Sequence, residues 1–150
     1  MKDRLVLTAY LCGWWIVRTL PEKTAYKIFW SLGEFVHRRN GRSIQRLRTN
    51  LQTVNPHLDS LTLETLVAQS MSSYMRYWCD TFRIQNWSTE RIRSTVTTTN
   101  DHLLLDPMNE GRGVVVALPH SGNWDHAGAY FCQEGIPLVT VAEVLKPEKL

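Results

Sequence analysis

The sequence predicts an α/β protein in which a helical N-terminal region precedes the first strands of a mostly parallel sheet covered by helices. Apolar residues recur at helical spacing as far as residue 84. Beyond that point, β-branched or apolar runs occupy 95–99, 114–118 and 138–142. The run at 114–118 has no polar position, which is typical of a strand buried on both faces. We therefore expect residues 1–85 to be mainly helical and residues 94–150 to form the α/β part.

The composition is that of one globular domain. The 150 residues are 43% hydrophobic and 21% charged, which excludes a largely disordered chain. Cys12, Cys79 and Cys132 lie far apart, which argues against a disulfide framework or a thiolate metal site and favours an intracellular protein. Pro147 is typical of a helix start, but the sequence ends three residues later at Leu150. We therefore expect the chain to be a fragment.

Positive charge is concentrated at the start of the sequence. Residues 1–50 hold 10 Lys/Arg and 3 Asp/Glu, a net charge of +7, whereas the remainder carries −4. A basic segment favours an anionic partner, either lipid headgroups or nucleic acid. The six tryptophans, two of them adjacent at Trp14 and Trp15, favour an anionic membrane surface. Nucleic acid is disfavoured, because the acidic remainder carries no recognisable reading motif.

The first apolar run, from Leu5 to Val17, has two interpretations. As a helix, its thirteen residues would span ~20 Å, short of a ~30 Å hydrocarbon core. No small-residue cleavage site follows it, which argues against a secretory signal. A helix buried in the domain and a helix lying in the membrane interface both remain. On the second interpretation, the residues predicted to face the membrane are Trp14, Trp15, Arg38, Arg39 and Arg42.

Turn and capping residues predict three further helices in this region. They run from Pro21 to about Arg38, from Ser43 to Asn55, and from about Thr62 to Ile84. The first stops at Asn40-Gly41, a strong C-terminal signal, and Ser43 is the predicted cap of the second. The predicted core faces are Ile44, Leu47, Leu51 and Val54 in the second, and Leu63, Leu66, Val67, Ser70, Tyr74, Tyr77, Trp78 and Phe82 in the third. The opposite face of the second helix carries Arg42, Arg46 and Arg48.

The C-terminal part reads as alternating strands and helices. Helices are predicted at His102–Asn109 and at Trp124–Glu134, with turns at 111–113 and 135–137. The second of these helices lies between the apolar runs 114–118 and 138–142. A strand–helix–strand unit of this kind predicts a right-handed crossover and a parallel pair of strands.

One segment, Pro119-His120-Ser121-Gly122-Asn123-Trp124-Asp125, has the residue types for chemistry. It follows the predicted buried strand, and loops at that end of parallel strands bind ligands. A carboxylate on Nδ1–H of His120 would leave Nε2 free to accept a proton from a hydroxyl, and Asp125 is the candidate. The pair is therefore predicted to be catalytic. The alternative, a histidine that caps or packs at the helix start, stays open because the spacing alone is weak.

Two other chemistries are disfavoured at this segment. Ser121 lacks the G-x-S-x-G context of a nucleophilic serine. His120, Asp125 and His126 lack a His-Glu-x-x-His pattern, so no metal is predicted.

The stretch from Gly111 to Asp125 (GRGVVVALPHSGNWD) resembles the bacterial acyltransferases that include the lipid A lauroyl transferases. The resemblance is strongest to the actinobacterial phosphatidylinositol mannoside acyltransferases. Further stretches that fit the family in register are Arg46–Leu51, Ser73–Trp78 with Phe82-Arg83, and Thr140–Glu148. The resemblance implies a glycerolphosphate-acyltransferase-like fold, of which residues 1–150 are the N-terminal half of a single domain.

It also implies a function: transfer of a palmitoyl-like chain from acyl-CoA to a mannose hydroxyl of phosphatidylinositol mannosides, at the cytoplasmic face of the plasma membrane. Acyl-CoA would be a co-substrate, and no cofactor is implied. By resemblance, His120 is the general base with Asp125 as its partner, and the substrate-binding residues are Ser121, Asn123, Trp124 and Glu143. A different acceptor (a lysophospholipid or a lipid A precursor) and a non-catalytic membrane-binding module are the alternatives.

Overall fold

Helices account for the regular structure in residues 2–119 and 121–141, the part that the computed structural model describes. They are α1 (Lys2–Thr19), α2 (Glu22–Arg39), α3 (Arg42–Val54), α4 (Ser60–Arg83), α5 (Thr89–Ser94), α6 (His102–Asn109) and α7 (Trp124–Gln133). A single 3-10 turn, Ile84–Asn86, follows α4. The described residues fall into two compact units that meet in sequence at Gln85 and Asn86.

The first unit is built around α4, which packs against α1, α2 and α3. Its buried residues form two clusters: Ile44, Leu63, Val67 and Met71 in one, and Ala25, Phe29 and Cys79 in the other. Met75 packs against both clusters and so joins them. A Cβ atom at Gly33 would lie 3.2 Å from the Cγ atom of Met75, which is why a glycine at this point lets α2 and α4 approach closely.

Local signals place the ends of these helices. Asn40 adopts a left-handed conformation (φ 46°) and closes α2, as the sequence predicts. The Asp59 side chain accepts the N–H groups of Leu61 and Thr62 and caps α4. Ser43 is not the cap of α3, which was predicted wrongly: Gly41 holds that position. The chain re-enters a helix directly after Asn40, so Ser43 falls inside the first turn.

Two predicted helix faces also need correction. Val54 ends α3 and is 77% exposed, so it takes no part in the core. Arg48 is half-buried and donates two hydrogen bonds to Glu64, and it therefore leaves the predicted solvated face. In α4 the buried stripe runs through Leu63, Val67, Met71 and Cys79. These residues lie four positions apart, except that the half-buried Met75 stands between Met71 and Cys79. Tyr74 lies on the flank of that row with half of its surface exposed.

Helix α1 is attached by its C-terminal half. The indole Nε1 of Trp14 donates to the carbonyl of Phe82 (2.9 Å), and Nη1 of Arg83 donates to the carbonyls of Val17 (2.5 Å) and Leu20 (2.8 Å). Leu5 and Trp15 are each 67% exposed, so the interpretation of this helix as buried is wrong for most of its length. Among the described helices, none has the length and apolar character needed to cross a membrane.

The second unit contains α5, α6 and α7. Helix α6 has the predicted bounds, and α7 ends one residue before the predicted Glu134. Helix α5 was not predicted, although Ser88 caps it by accepting the N–H of Arg91. The β-branched run at 95–99 follows α5 as turns and irregular chain, not as a strand.

The described residues contain no strand, so the predicted sheet is not found in them. Val115, Val139 and Val141 lie in segments without regular secondary structure and are 98–99% exposed, in contrast to the burial that their apolar runs predict. The physical reason is pairing: a parallel strand satisfies its backbone N–H and C=O groups on a neighbouring strand. Neither of the two described segments has a neighbouring strand with which to pair. Residue 142, the last position of the second run, lies outside the described residues.

Candidate active site

A tight turn within the predicted catalytic segment precedes the start of α7 at Trp124. The N–H of Ser121 donates to the carbonyl of Pro119 (2.8 Å), and Gly122 has a φ of 68°. This left-handed conformation favours glycine and reverses the chain without strain. The Oδ1 atom of Asn123 then accepts the N–H of His126 (3.0 Å), which caps the helix.

The structure places the predicted site residues unevenly. Asp125 lies half-buried in the first turn of α7, where the helix dipole stabilises a negative charge. Trp124, the first residue of α7, is half-buried, and Ser121 is exposed. His120 and Glu143 lie outside the described residues. The pairing of His120 with Asp125 and the role of Glu143 therefore stay predictions.

His126 is a site-forming residue that the sequence reasoning considered only as a metal ligand. Its Nε2 atom lies 3.1 Å from Oγ1 of Thr95, and its ring meets the edge of Trp87 with centroids 5.1 Å apart. The guanidinium of Arg91 lies over the ring of Trp87, 4.1 Å from the centroid of that ring. These contacts hold the turn of α7 that carries Asp125. Among the described residues, no group of three His, Cys, Asp or Glu side chains could hold a metal.

The C-terminal end of α7 is held by the same neighbour, α5. Arg93 donates through Nε to Oε1 of Glu134 (2.6 Å) and through Nη2 to the carbonyl of Gln133 (3.0 Å). Thr89 Oγ1 donates to Oε1 of Gln133 (2.9 Å). A cation at the last carbonyls of a helix is favourable because it opposes the negative end of the helix dipole. Contacts from α5 and from Thr95 just after it therefore fix α7 at both ends.

The residues predicted to face a membrane all belong to the first unit. Trp15 is exposed, whereas Trp14 is half-buried and bonded to Phe82. Arg38 is exposed and lies 3.7 Å from Glu34 across one helical turn. The guanidinium of Arg39 lies 4.8 Å above the ring of Phe35, which is itself 55% exposed. Arg42 is exposed.

The motif that the turn and the start of α7 carry resembles one family of acyltransferases, and the comparison with known families agrees. The chain belongs to the bacterial lipid A biosynthesis acyltransferase family, whose model matches residues 2–150. This confirms the family resemblance predicted from the sequence.

Two curated relatives give the detail. The phosphatidylinositol mannoside acyltransferase of Mycolicibacterium smegmatis is 38% identical over 141 residues, which are 94% of this chain and 46% of that protein. The phosphatidylinositol mannoside acyltransferase of Mycobacterium tuberculosis H37Rv is 37% identical over 145 residues, which are 95% of this chain and 45% of that protein. The chain thus spans about half the length of the curated relatives it matches. No solved structure matches it significantly.

Proposed function

We propose that this chain is part of an O-acyltransferase that moves a palmitoyl-like chain from acyl-CoA to a mannose hydroxyl of phosphatidylinositol mannosides. One observation carries the proposal. The block His-Ser-Gly-Asn-Trp-Asp at 120–125 stands in a chain that is 38% identical to a phosphatidylinositol mannoside acyltransferase. The turn at Gly122 and the capped start of α7 support it, because they place Asp125, the last residue of the block, in the first turn of α7.

The proposed reaction needs one base and no covalent acyl-enzyme. Nε2 of His120 accepts the proton of the mannose hydroxyl as the hydroxyl oxygen attacks the thioester carbonyl. The bond from carbon to sulfur then breaks, and the CoA thiolate leaves and takes the proton from the imidazolium. Asp125 holds Nδ1–H and stabilises the imidazolium. A thioester is already activated, so a positioned base that contributes ~10²–10⁴-fold is enough.

The remaining residues of the segment are proposed to shape the acceptor and donor site. We assign substrate contacts to Ser121, Asn123, Trp124 and Glu143. Asn123 contributes by holding the turn, since its side chain caps α7. The apolar segments 114–118 and 138–142 are proposed to become strands of a glycerolphosphate-acyltransferase-like sheet once neighbouring strands are available to pair with them.

The proposed location is the cytoplasmic face of the plasma membrane, with the protein bound peripherally. Support comes from the exposed apolar side of α1, which includes Leu5 and Trp15. The exposed cations Arg38, Arg39 and Arg42 add to it. Each cation near an anionic leaflet contributes about 1 kcal/mol.

The test uses a hybrid, because the chain spans about half of its relatives. This chain replaces the matching N-terminal half of the Mycolicibacterium smegmatis relative, and transfer from labelled palmitoyl-CoA to phosphatidylinositol mannosides in anionic vesicles is measured. We expect His120→Ala to lower transfer by ~10²–10⁴-fold. His102→Ala, which changes an exposed histidine of α6, should leave it unchanged.

Unchanged transfer by His120→Ala, or no transfer by a hybrid whose helical circular dichroism is intact, would contradict the proposal. The vesicles are also sedimented in the same assay, and we expect binding to weaken as salt rises. Vesicle binding that survives without any transfer would identify a membrane-binding module instead.

A lipid A precursor is the second candidate acceptor, which the family description favours. Competition between the two acceptors in this assay separates them.

A further inference from the structure

One cleft in the described part of the first unit lies between α2 and α4, and the proposed reaction does not use it. Its volume is about 620 Å³, within the range of about 300–1,000 Å³ that is usual for ligand pockets. The lining residues are Tyr26, Lys27 and Trp30 on α2, and Ser72, Ser73 and Arg76 on α4. In each set the last residue follows the other two by three and four positions, so each set lies on one side of its helix, and the two sides line the cleft.

The lining of this cleft combines apolar surface with charged and polar side chains. Trp30 supplies an indole with 54% of its surface exposed, although it stands in a row that faces a neighbouring helix. An exposed large apolar side chain in a concavity marks a place where an apolar ligand binds. Lys27 and Arg76 supply cations to the lining, and Ser72 and Ser73 supply hydroxyl groups.

The charges leave capacity for an anion. The described residues give Lys27 no ion pair, and its side chain is exposed. Arg76 stands 3.9 Å from Asp80 and 5.5 Å from the ring centre of Tyr26, with 73% of its side chain exposed. Asp80 is itself buried and accepts a short hydrogen bond (2.5 Å) from the Tyr26 hydroxyl. Asp80 is thus engaged, while Arg76 still has guanidinium N–H groups that face solvent.

Apolar surface continues beside Lys27. A shallower depression of about 340 Å³ is lined by Lys27, Ile28, Ser31 and Leu32. Ile28 and Leu32 are each more than 40% exposed. Lys27 therefore stands between two apolar surfaces, which is the arrangement that a charged head with attached hydrocarbon requires.

We propose that the cleft between α2 and α4 binds one anionic glycerophospholipid, with its phosphate on Lys27 and Arg76 and an acyl chain along Trp30. Charge complementarity selects this occupant: two cations and two hydroxyl groups match a phosphate diester, and the indole matches the hydrocarbon. All the residues belong to the first unit. The site is independent of His120, and it stands or falls separately from the acyl transfer proposed above.

The test measures binding of short-chain lipids as monomers to the 150-residue chain by calorimetry. The probes are dihexanoyl phosphatidylglycerol, dihexanoyl phosphatidylcholine and inorganic phosphate. We expect the anionic lipid to bind about tenfold more tightly than the zwitterionic one, because charge-assisted hydrogen bonds to the cleft cations are lost with choline. Lys27→Gln should weaken the anionic lipid about tenfold for the same reason, and Trp30→Ala should weaken both lipids.

Lys23→Gln is the matched control, since Lys23 is an exposed lysine one turn earlier on α2 that does not line the cleft. Its binding should stay at the wild-type level. Arg76→Gln is measured together with its melting temperature, because Asp80 loses a partner in that variant. Lys27→Gln tests the site without that complication.

Four results overturn the proposal. Equal affinity for the two lipids, or an equal loss with Lys23→Gln, would show no specific charge recognition in the cleft. Inorganic phosphate binding as tightly as the anionic lipid would reveal a free-anion site. An absence of binding by the monomeric anionic lipid would show that the cleft holds no single lipid molecule.

Discussion

The two units of this chain divide packing and proposed chemistry between them. In the first, the side chains of Ile44, Val67 and Cys79 are at most 1% exposed. In the described residues of the second, only Ile92 and Ile136 are buried. The motif on which the acyltransferase resemblance depends nevertheless lies in the second unit. The first unit therefore supplies most of the apolar packing described in this chain, and the motif lies in the second unit, which is lightly packed.

The kind of contact differs as well as the amount. Helix α7 is held by polar contacts, such as those of Arg93 with Glu134 and of His126 with Thr95. Exposed ion pairs contribute about 0–1 kcal/mol each, whereas complete burial of one apolar side chain contributes about 1.5–3 kcal/mol. We expect the second unit to open locally at a lower free energy than the first.

The largest expected effect tests the packed side of this comparison. Ile44→Ala removes a side chain that is 1% exposed and that packs with Leu63 and Val67. We expect the free energy of unfolding to fall by about 2–5 kcal/mol, measured by denaturant titration with circular dichroism. Val54→Ala on the same helix is the control, and because Val54 is 77% exposed its effect should stay within about 0.5 kcal/mol. Similar losses in both variants would contradict the described core.

The sequence predicts those parts of the fold that local chemistry decides. Pro21 and Asn40 bound α2 because a fixed φ suits a helix start and a left-handed residue suits its end. Strands cannot be predicted from local signals in this way, and those expected at 95–99, 114–118 and 138–142 are not found in the described residues. An apolar run such as 114–118 reports a preference for burial, but pairing depends on a second segment that no local pattern identifies. The β-branched run after Ser94 misled the prediction for the same reason, and the cap at Ser88 was the overlooked signal of α5.

In the candidate site, too, local features could be predicted from the sequence and long-range contacts could not. The turn at Gly122 and the helix start beside Asp125 follow from residues within five positions of each other, and the helix start at Trp124 was predicted. The contacts of His126 with Thr95 and Trp87 join residues more than 30 positions apart. No periodicity encodes such a contact. The position of His126 directly after Asp125 was the only available signal.

An intermediate effect tests the lightly packed side. His126→Ala removes the contacts with Thr95 and Trp87, and we expect α7 to lose about 0.5–1.5 kcal/mol of local stability. Hydrogen exchange of 124–133 should accelerate up to about tenfold, while exchange in α4 stays unchanged. His102→Ala, an exposed histidine on α6, is the control and should change neither. Faster exchange in α4 would show that the two units unfold together, against the comparison above.

The smallest effect is a pH dependence inside the first unit. Hydrogen bonds from Arg48 hold the pKa of Glu64 below its usual value of 4.5, and the nearby His37 acts in the same direction. Because the pKa is lower in the folded chain, this pair stabilises folding above about pH 4.5. The contribution is lost as the pH falls through the lowered pKa.

The melting temperature of the wild type should therefore fall more steeply than that of Glu64→Gln between pH 5 and pH 3, and the two should converge in acid. The difference at pH 7 should be small and should shrink in high salt, because the pair is partly exposed. Glu90→Gln is the matched control: Glu90 is exposed, and the described residues give it no ion pair. A Glu64→Gln curve parallel to that of the wild type would show that the contact with Arg48 does not stabilise the fold.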